Sequence, residues 1–338
     1  MKKIYKYILL LIICICTILI ISSLIDNSIY ENYENKATLL NSINTINLSR
    51  QLIQKIDDKD MTFYSSNASI INFPGKPDIY ALNIRFINYT ISNKKIVLDH
   101  RLTISINKFI TLNKNFEIQD DNIFDNNLNT DGDFVGLEDI RLYNQNNQLY
   151  YSASYYDKNS KTMKISNNKY IIKDSSLDLI PNIIKVNFET KYTIEKNWAY
   201  FDYLNDKYVI YQWSPLKICK IFNDTQLELI ETKEVPDIFK SFYGSSGGVS
   251  YNDNIWFIVH TKNNYKYYHH FICFDKNMKL IKYSSPFYFQ NDTIEFTLSF
   301  IIEEDRIIIP YTVEDTKLYI GIYDKNYILN DLNYIIVN

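Results

Sequence analysis

From Phe63 onward the chain is a succession of short runs rich in Ile, Val, Tyr and Phe, separated by polar turns. That spacing leaves few architectures open. The runs include Ile79–Tyr89, Gln148–Tyr156, Tyr208–Trp213, Ile255–Thr261, His269–Phe274, Arg306–Tyr311 and Leu318–Tyr323. β-Branched and aromatic side chains suit a pleated, half-buried surface. No long helical periodicity interrupts them, which argues against alternating strand–helix units. The 338 residues include only 7 Gly, so the turns must come from Asn and Asp, which tolerate the left-handed conformation. A unit also recurs, since Phe274-Asp275-Lys276-Asn277 and Tyr323-Asp324-Lys325-Asn326 lie about 49 residues apart. A body of roughly 275 residues at about 50 per unit gives about five four-stranded blades. The expected fold is all-β, a five-bladed β-propeller over 61–338, with a pair of β-sandwiches as the alternative.

The N-terminus has a different character. Lys2, Lys3 and Lys6 precede an apolar run from Tyr7 to Ile25, broken only by Thr17, Ser22 and Ser23. That is about the ~20 residues a helix needs to cross a bilayer. The basic flank favours a cytoplasmic N-terminus and a lumenal or extracytoplasmic body. Ser22-Ser23-Leu24 is a poor cleavage site, so 1–25 is expected to be an uncleaved transmembrane signal-anchor. Residues 26–60 carry Leu39, Leu40, Ile43, Ile46, Ile53 and Ile56 at near-helical spacing and are expected to form a partly helical stem. A translocated body agrees with Asn-x-Ser/Thr sites at Asn47, Asn67, Asn88, Asn223 and Asn291, although a chain so rich in Asn supplies several by chance.

A net charge of -3 provides no basic excess, so no nucleic-acid partner is expected. Of the 4 cysteines, Cys14 and Cys16 lie in the apolar run while Cys219 and Cys273 are far apart in the body. No disulfide framework or zinc spacing results; a single Cys219–Cys273 bridge and two buried thiols are both open. His100, His260, His269 and His270 show no metal-binding spacing, and neither a metal nor a cofactor is expected. Asp131-Gly132-Asp133 looks like an Asp-x-Asp nucleotide-sugar motif but lacks the α/β context and reads as a turn. Tyr243-Gly244-Ser245-Ser246-Gly247-Gly248 lacks the Lys and the helix of a phosphate loop.

Gly136-Leu137-Glu138-Asp139-Ile140-Arg141 sets two acids and an arginine at the start of a strand. An acid beside a guanidinium is either a buried structural pair or a tuned general acid. Glu195-Lys196-Asn197-Trp198 is a second charged cluster beside aromatics, suited to a sugar platform or a strand edge.

Taken in order, Asn67-Ala68-Ser69-Ile70, Asn83-Ile84-Arg85-Phe86, Gly136 to Arg141, Glu195 to Trp198, Tyr211-Gln212-Trp213-Ser214-Pro215-Leu216 and Gly244-Ser245-Ser246 resemble the five-bladed propeller family of β-mannoside phosphorylases and hydrolases, glycoside hydrolase family 130, and its mannosyl-transferring relatives. The resemblance implies an inverting reaction with Asp139 as the general acid, protonating the glycosidic oxygen through a sugar hydroxyl. It implies that Asn67, Arg85, Glu138, Arg141, Lys196, Asn197, Ser245 and His260 bind substrate or phosphate. A hydrolase would need a second carboxylate, for which Glu138 and Glu295 are available. Ile140 and Ala68 stand where the family has Pro, and Tyr243 where a basic residue is expected. A missing phosphate-binding cation argues for transfer over phosphorolysis, or for a propeller that only binds glycans. The expected partners are an oligosaccharide or glycan, inorganic phosphate or a nucleotide sugar, and the membrane through the N-terminal helix.

Overall fold

The computed structural model describes residues 36–92, 95–98, 102–123, 134–170, 182–204, 206–263 and 266–337. The apolar run of 1–25, Asp131-Gly132-Asp133 and His100 lie outside the described residues. No helix among the described residues is long and apolar enough to cross a membrane. The chain divides into an N-terminal unit ending at Thr38 and a body from Leu39 to Asn338.

Five sheets of three or more strands make up the body among the described residues. The first is built on Gln51–Ile56, Lys59–Asn72, Ile79–Ile87 and Thr103–Asn113. The second has Glu138–Gln145, Gln148–Asp157 and Thr162–Lys169. The third has Ala199–Tyr203, Asp206–Trp213, Leu216–Phe222 and Gln226–Lys233. Val249–Tyr251, Asn254–Asn263, Lys266–Asp275 and Leu280–Ser284 form the body of the fourth. The fifth contains Ile301–Ile302, Arg306–Val313 and Lys317–Asp324, and its last strand is Asn44–Asn47 from the opposite end of the body. That strand runs antiparallel to Lys317–Asp324 with Asn44 opposite Ile322, so the start of the body completes the sheet made by its end.

Five apolar clusters lie between these sheets and define their order. Ala81, Phe109, Ile140 and Tyr151 join the first sheet to the second. Tyr143, Ile165, Trp198 and Val209 join the second to the third, and Ile210, Trp213, Phe257 and Ile272 join the third to the fourth. Phe271, Phe287, Ile309 and Tyr311 join the fourth to the fifth. Phe63, Ile70, Ile308 and Leu318 then join the fifth back to the first. Each sheet buries both faces against its neighbours, and the series closes into a ring of five blades with no outer sheet left bare. Ile70, Leu142, Phe201, Val249 and Ile301, one from each blade, line a central cavity of about 460 Å³.

Paired acidic and amide residues with positive φ make the hairpin turns: Asp57-Asp58, Asn146-Asn147, Asn252-Asp253 and Glu314-Asp315. Two successive left-handed residues match the twist of the strands they join. This is how a chain so poor in glycine makes tight hairpins.

The stem expectation needs correction. Within 39–60 the structure has strands at Asn44–Asn47 and Gln51–Ile56 in place of a helix, both paired into the ring, so the propeller begins well before residue 61. Leu52, Gln54 and Ile56 face inward at a period of two while Gln51, Ile53 and Lys55 are exposed, so the apolar spacing belonged to a strand. The second blade shows three strands among the described residues, where four were expected. Cys219 and Cys273 are free and buried, and burial pushes both thiols up to about 12. Asn67 and Asn88 are buried, which removes them as glycosylation acceptors in the folded protein, whereas Asn47, Asn223 and Asn291 are exposed.

Candidate active site

Backbone irregularities in the inner strands of two neighbouring blades aim the first polar side chains of the site. Between Ser65 and Ala68 the pairing with Ile79–Ile87 slips, and Asn67 lies in the slip. Between Glu138 and Arg141 the pairing with Gln148–Asp157 slips as well, and Asp139 lies there with φ 52°. A bulge re-aims a side chain without ending the strand. The approach to Glu138 depends on Gly136, whose φ is 86° and where a Cβ would lie 2.1 Å from the Ser105 carbonyl oxygen. Ile140, where the resembled family has Pro, is fully buried in the core between the first two blades.

The two bulges bring Asn67 and Asp139 together: the Asn67 Nδ2 donates to Asp139 Oδ1 at 2.9 Å. Thr312 of the fifth blade in turn donates to Asn67 Oδ1 at 2.7 Å, which fixes the amide's orientation. Arg85 bridges both acids, with Nη1 3.1 Å from Asp139 Oδ1 and Nη2 3.3 Å from Glu138 Oε1. Its Nε donates to Ser105 Oγ at 2.8 Å, which locks the plane of the guanidinium. Lys196 Nζ lies 3.7 Å from the other Glu138 oxygen, and its side chain is 44% exposed.

Arg141 and His260 are held by hydrogen bonds within the protein at the site. Arg141 is buried and its guanidinium is directed to the protein: Nε donates to the Ser245 carbonyl at 3.1 Å, Nη1 to the Asp139 carbonyl at 3.3 Å and Nη2 to Asn197 Oδ1 at 3.4 Å. It clamps three blades at the site. Ser245 contributes through that carbonyl and through its hydroxyl, 2.8 Å from His260 Nδ1. Burial and then the Arg141 charge push His260 down to about 3, so its ring is neutral and brings no charge to an anion. Gly244 is required here, because a Cβ would lie 2.2 Å from the Asn197 carbonyl oxygen.

The carboxyls are not equivalent. Burial pushes Asp139 up, but Arg85, Arg141, the Asn67 amide and Lys196 outweigh it and hold the group below its ordinary value. Asp315, which the sequence reading missed, lies in the Glu314-Asp315 hairpin turn of the fifth blade and accepts from the Tyr89 hydroxyl at 3.4 Å. Burial pushes its carboxyl up to about 6; Arg85 and the Tyr89 hydrogen bond oppose the rise, while the charges of Asp139 and Glu138 add to it. In sequence Asp315 was one more turn acid, and nothing local marked it.

Glu295, available as a second acid, is engaged with backbone N–H groups. It is fully buried and accepts from the backbone N–H groups of Phe289, Gln290 and Asp292 at 2.5, 2.9 and 2.7 Å, tying down a loop. Glu195 likewise accepts from Trp198 Nε1 at 3.1 Å and the Tyr211 hydroxyl at 3.0 Å.

No family sequence model matches the chain, and no curated protein matches it by sequence. Solved structures do. A β-1,2-mannobiose phosphorylase from Listeria innocua, in complex with β-1,2-mannobiose, aligns with TM-score 0.56 at 13% identity over 86% of this chain and 99% of its own. A glycoside hydrolase family 130 structure, from work on hydrolases that target β-1,2-mannosidic linkages in Candida mannan, aligns with TM-score 0.56 at 11% identity over 86% and 91%. A mannose phosphorylase from Leishmania mexicana, in complex with phosphate ion, gives TM-score 0.52 at 9% identity over 88% and 95%. The chain therefore has the fold of the mannoside phosphorylases and glycoside hydrolases of family 130.

Proposed function

We propose that this protein makes or breaks a glycosidic bond of a mannose-type sugar at the Asp139 cluster, with Asp139 as the general acid. The observation that supports this most strongly is the carboxyl pair Asp139 and Asp315, gathered with Arg85 from different blades and shifted in opposite directions from the ordinary carboxylate value. Pairs of titratable groups pushed apart in this way mark acid–base sites. Below about pH 6 the proton of the pair resides on Asp315. Bound sugar would take the place of solvent beside Arg85 and Asn67, and Asp139, taking up the proton of the pair, would pass it through a sugar hydroxyl to the glycosidic oxygen.

Transfer to another hydroxyl is favoured over phosphorolysis. A phosphate dianion needs several available charged donors. Here Arg141 is committed to the protein, His260 is neutral and Arg85 is occupied by two acids, which leaves Lys196 as the exposed cation of the cluster. The N-terminal apolar run is read as an anchor holding the body on the extracytoplasmic side.

One observation favours a second reading, a glycan-binding propeller without catalysis: the ion pair to Arg85 keeps Asp139 deprotonated, as a purely structural pair would. Asp139→Asn separates the two. Loss of sugar transfer or release from manno-oligosaccharides with thermal stability intact supports catalysis. An active variant, or wild-type protein that retains glycans but turns none over, supports the binding role.

A further inference from the structure

Three of the chain's 4 histidines lie in the two long strands of the fourth blade, and all three are buried: His260 is 5% exposed, His269 and His270 0%. His260 and His269 stand directly opposite one another where Asn254–Asn263 pairs with Lys266–Asp275. Both face the seam with the fifth blade. The His260 ring meets Phe296 edge-on at 5.0 Å, and the His269 ring meets Phe287 at 5.8 Å and Phe289 at 4.7 Å. Phe289 in turn stacks on Tyr311 of the fifth blade at 4.4 Å. His270, the next residue along its strand, points the other way, with its ring 4.7 Å from Phe242 on the seam with the third blade.

The surroundings oppose a positive charge on any of the three. His260 Nδ1 is 2.8 Å from the Ser245 hydroxyl, its ring is sandwiched by Tyr243 and Tyr267, and the charges around it are Arg141, Asp139 and Lys262, two cations to one acid. His269 has both ring nitrogens buried without a hydrogen-bond partner, and the titratable groups acting on it are His260 and His270. On its fifth-blade side, Glu295 is engaged by three backbone N–H groups, that of Phe289 among them, and the Tyr311 hydroxyl accepts from Gln290. His270 Nδ1 donates to the Ser284 carbonyl at 2.9 Å. Burial dominates at each ring: it pushes His260 down to about 3, His270 to about 4 and His269 well below the ordinary histidine value.

A histidine depressed in this way gives its full stability above its unfolded value of ~6.5 and loses it as pH falls from there toward the folded value. Each one costs the folding equilibrium about tenfold per pH unit, so by pH 5 the three together cost more than ~10⁴-fold, comparable with the whole stability of a marginal domain. We propose that the fourth blade is an acid-operated switch: below about pH 5 its three histidines take up protons together and it parts from the blades on either side. Ser245 couples the switch to the Asp139 cluster, since its hydroxyl meets His260 and its carbonyl accepts from Arg141. Opening therefore releases the Arg141 clamp and disables the site. The switch depends on packing alone and operates whatever chemistry the site performs.

The test is denaturant unfolding of the full chain between pH 7 and 5, for wild type and His269→Leu, with hydrogen–deuterium exchange of the wild type read by mass spectrometry. Between pH 6 and 5 the wild-type folding equilibrium should fall about a hundredfold: three histidines take up protons on unfolding, and Asp315 offsets most of one by holding its proton in the folded state. His269→Leu removes a titrating ring that has no hydrogen bond to lose, and its equilibrium should fall only about tenfold over the same interval. Exchange, corrected for its intrinsic rate, should accelerate at pH 5 in Lys266–Asp275 and not in Thr103–Asn113 of the first blade. A wild-type equilibrium unchanged between pH 6 and 5 overturns the switch, whether or not the variant folds. A hundredfold fall retained in His269→Leu places the protons elsewhere and also overturns it. Equal acceleration in all five blades means global unfolding and removes the fourth blade as the moving part.

Discussion

Asp139 and Asp315 share the field of one guanidinium, that of Arg85, yet their carboxyls move in opposite directions: Asp139 falls below its ordinary value and Asp315 rises to about 6. Burial raises both. The difference is contact, because Arg85 touches Asp139 at 3.1 Å and Asn67 donates to it at 2.9 Å, whereas the direct partner of Asp315 is the Tyr89 hydroxyl at 3.4 Å. Groups coupled in this way titrate as a pair, and below about pH 6 the pair holds a proton on the fifth-blade side.

A pH dependence of stability follows. Asp315 has a folded pKa above its unfolded value, so the folded state binds the extra proton between roughly pH 4 and 6, and the stability this provides is lost as pH rises through about 6. Relative to wild type, Asp315→Asn should therefore raise unfolding free energy at pH 8 more than at pH 4, by ~2–3 kcal/mol. Asp139 has the opposite sign: its contribution is present above its unfolded pKa and lost as pH falls below it. Denaturant titrations of wild type and Asp315→Asn at the two pH values check this; parallel stability curves would remove Asp315 from the pair.

The activity profile should carry the same signature. With the transferable proton on Asp315, turnover declines as pH rises through about 6, and in Asp315→Asn that limb disappears along with most of the rate. His260, held near 3, contributes no limb between pH 5 and 8. An unaltered descending limb in Asp315→Asn would assign the proton elsewhere.

Asp139→Asn should lower turnover by ~10²–10⁴-fold if the carboxyl transfers a proton. It keeps a hydrogen-bonding shape toward Arg85 and Asn67, so the fold should survive. If the group is only the partner of Arg85, the loss appears as stability, ~3–5 kcal/mol for a broken buried pair. Rate and thermal unfolding measured on the same preparation distinguish the two.

How far the sequence revealed these features depends on how local each one is. Strands such as Arg306–Val313 were visible because their composition and flanking turns are local properties, and the Asp-Lys-Asn recurrence marked the repeat. Residues 39–60 were misread because Leu39, Ile43, Ile46 and Ile53 fit a helical spacing by coincidence, while the true period-two face includes Gln54. The Glu138–Arg141 loop could be singled out because its charges are adjacent in the chain. Asp315 could not, since it reaches the site only when the fifth blade packs back on the first. Sequence also does not reveal that three carbonyl or amide oxygens of the protein accept from the guanidinium of Arg141.

The anchor expectation has its own test. Lys2, Lys3 and Lys6 before the apolar run predict that the body is translocated. Protease added to intact, sealed membranes should leave the body whole, and Asn47, Asn223 and Asn291, exposed on the folded body, should be the acceptors if a glycosylating lumen is reached. Digestion of the body from the cytoplasmic side would reverse the topology.

Gly244 offers the sharpest structural check on how the third and fourth blades meet at the site. A Cβ there would lie 2.2 Å from the Asn197 carbonyl oxygen and 3.4 Å from Trp213 Nε1. Backbone cannot yield as a flexible side chain does, so Gly244→Ala must push Tyr243–Gly244 away from the segment before Ala199–Tyr203 or move Asn197 off its left-handed φ of 60°. Either movement loosens the Arg141 clamp, because Nη2 bonds Asn197 Oδ1 and Nε bonds the carbonyl of Ser245, the residue after the substitution. We expect a destabilisation of ~1–3 kcal/mol, as for an overpacked core position, together with a loss of sugar affinity larger than stability alone explains. Gly247→Ala is the control: a Cβ there meets a single backbone oxygen, that of Tyr200, at 2.9 Å, and lies on the central cavity away from Asn197. Equal affinity losses in the two variants would mean that the blade contact at Gly244 has no special hold on the site. A loss confined to Gly244→Ala would tie the geometry of Asn197 and Arg141 to sugar binding.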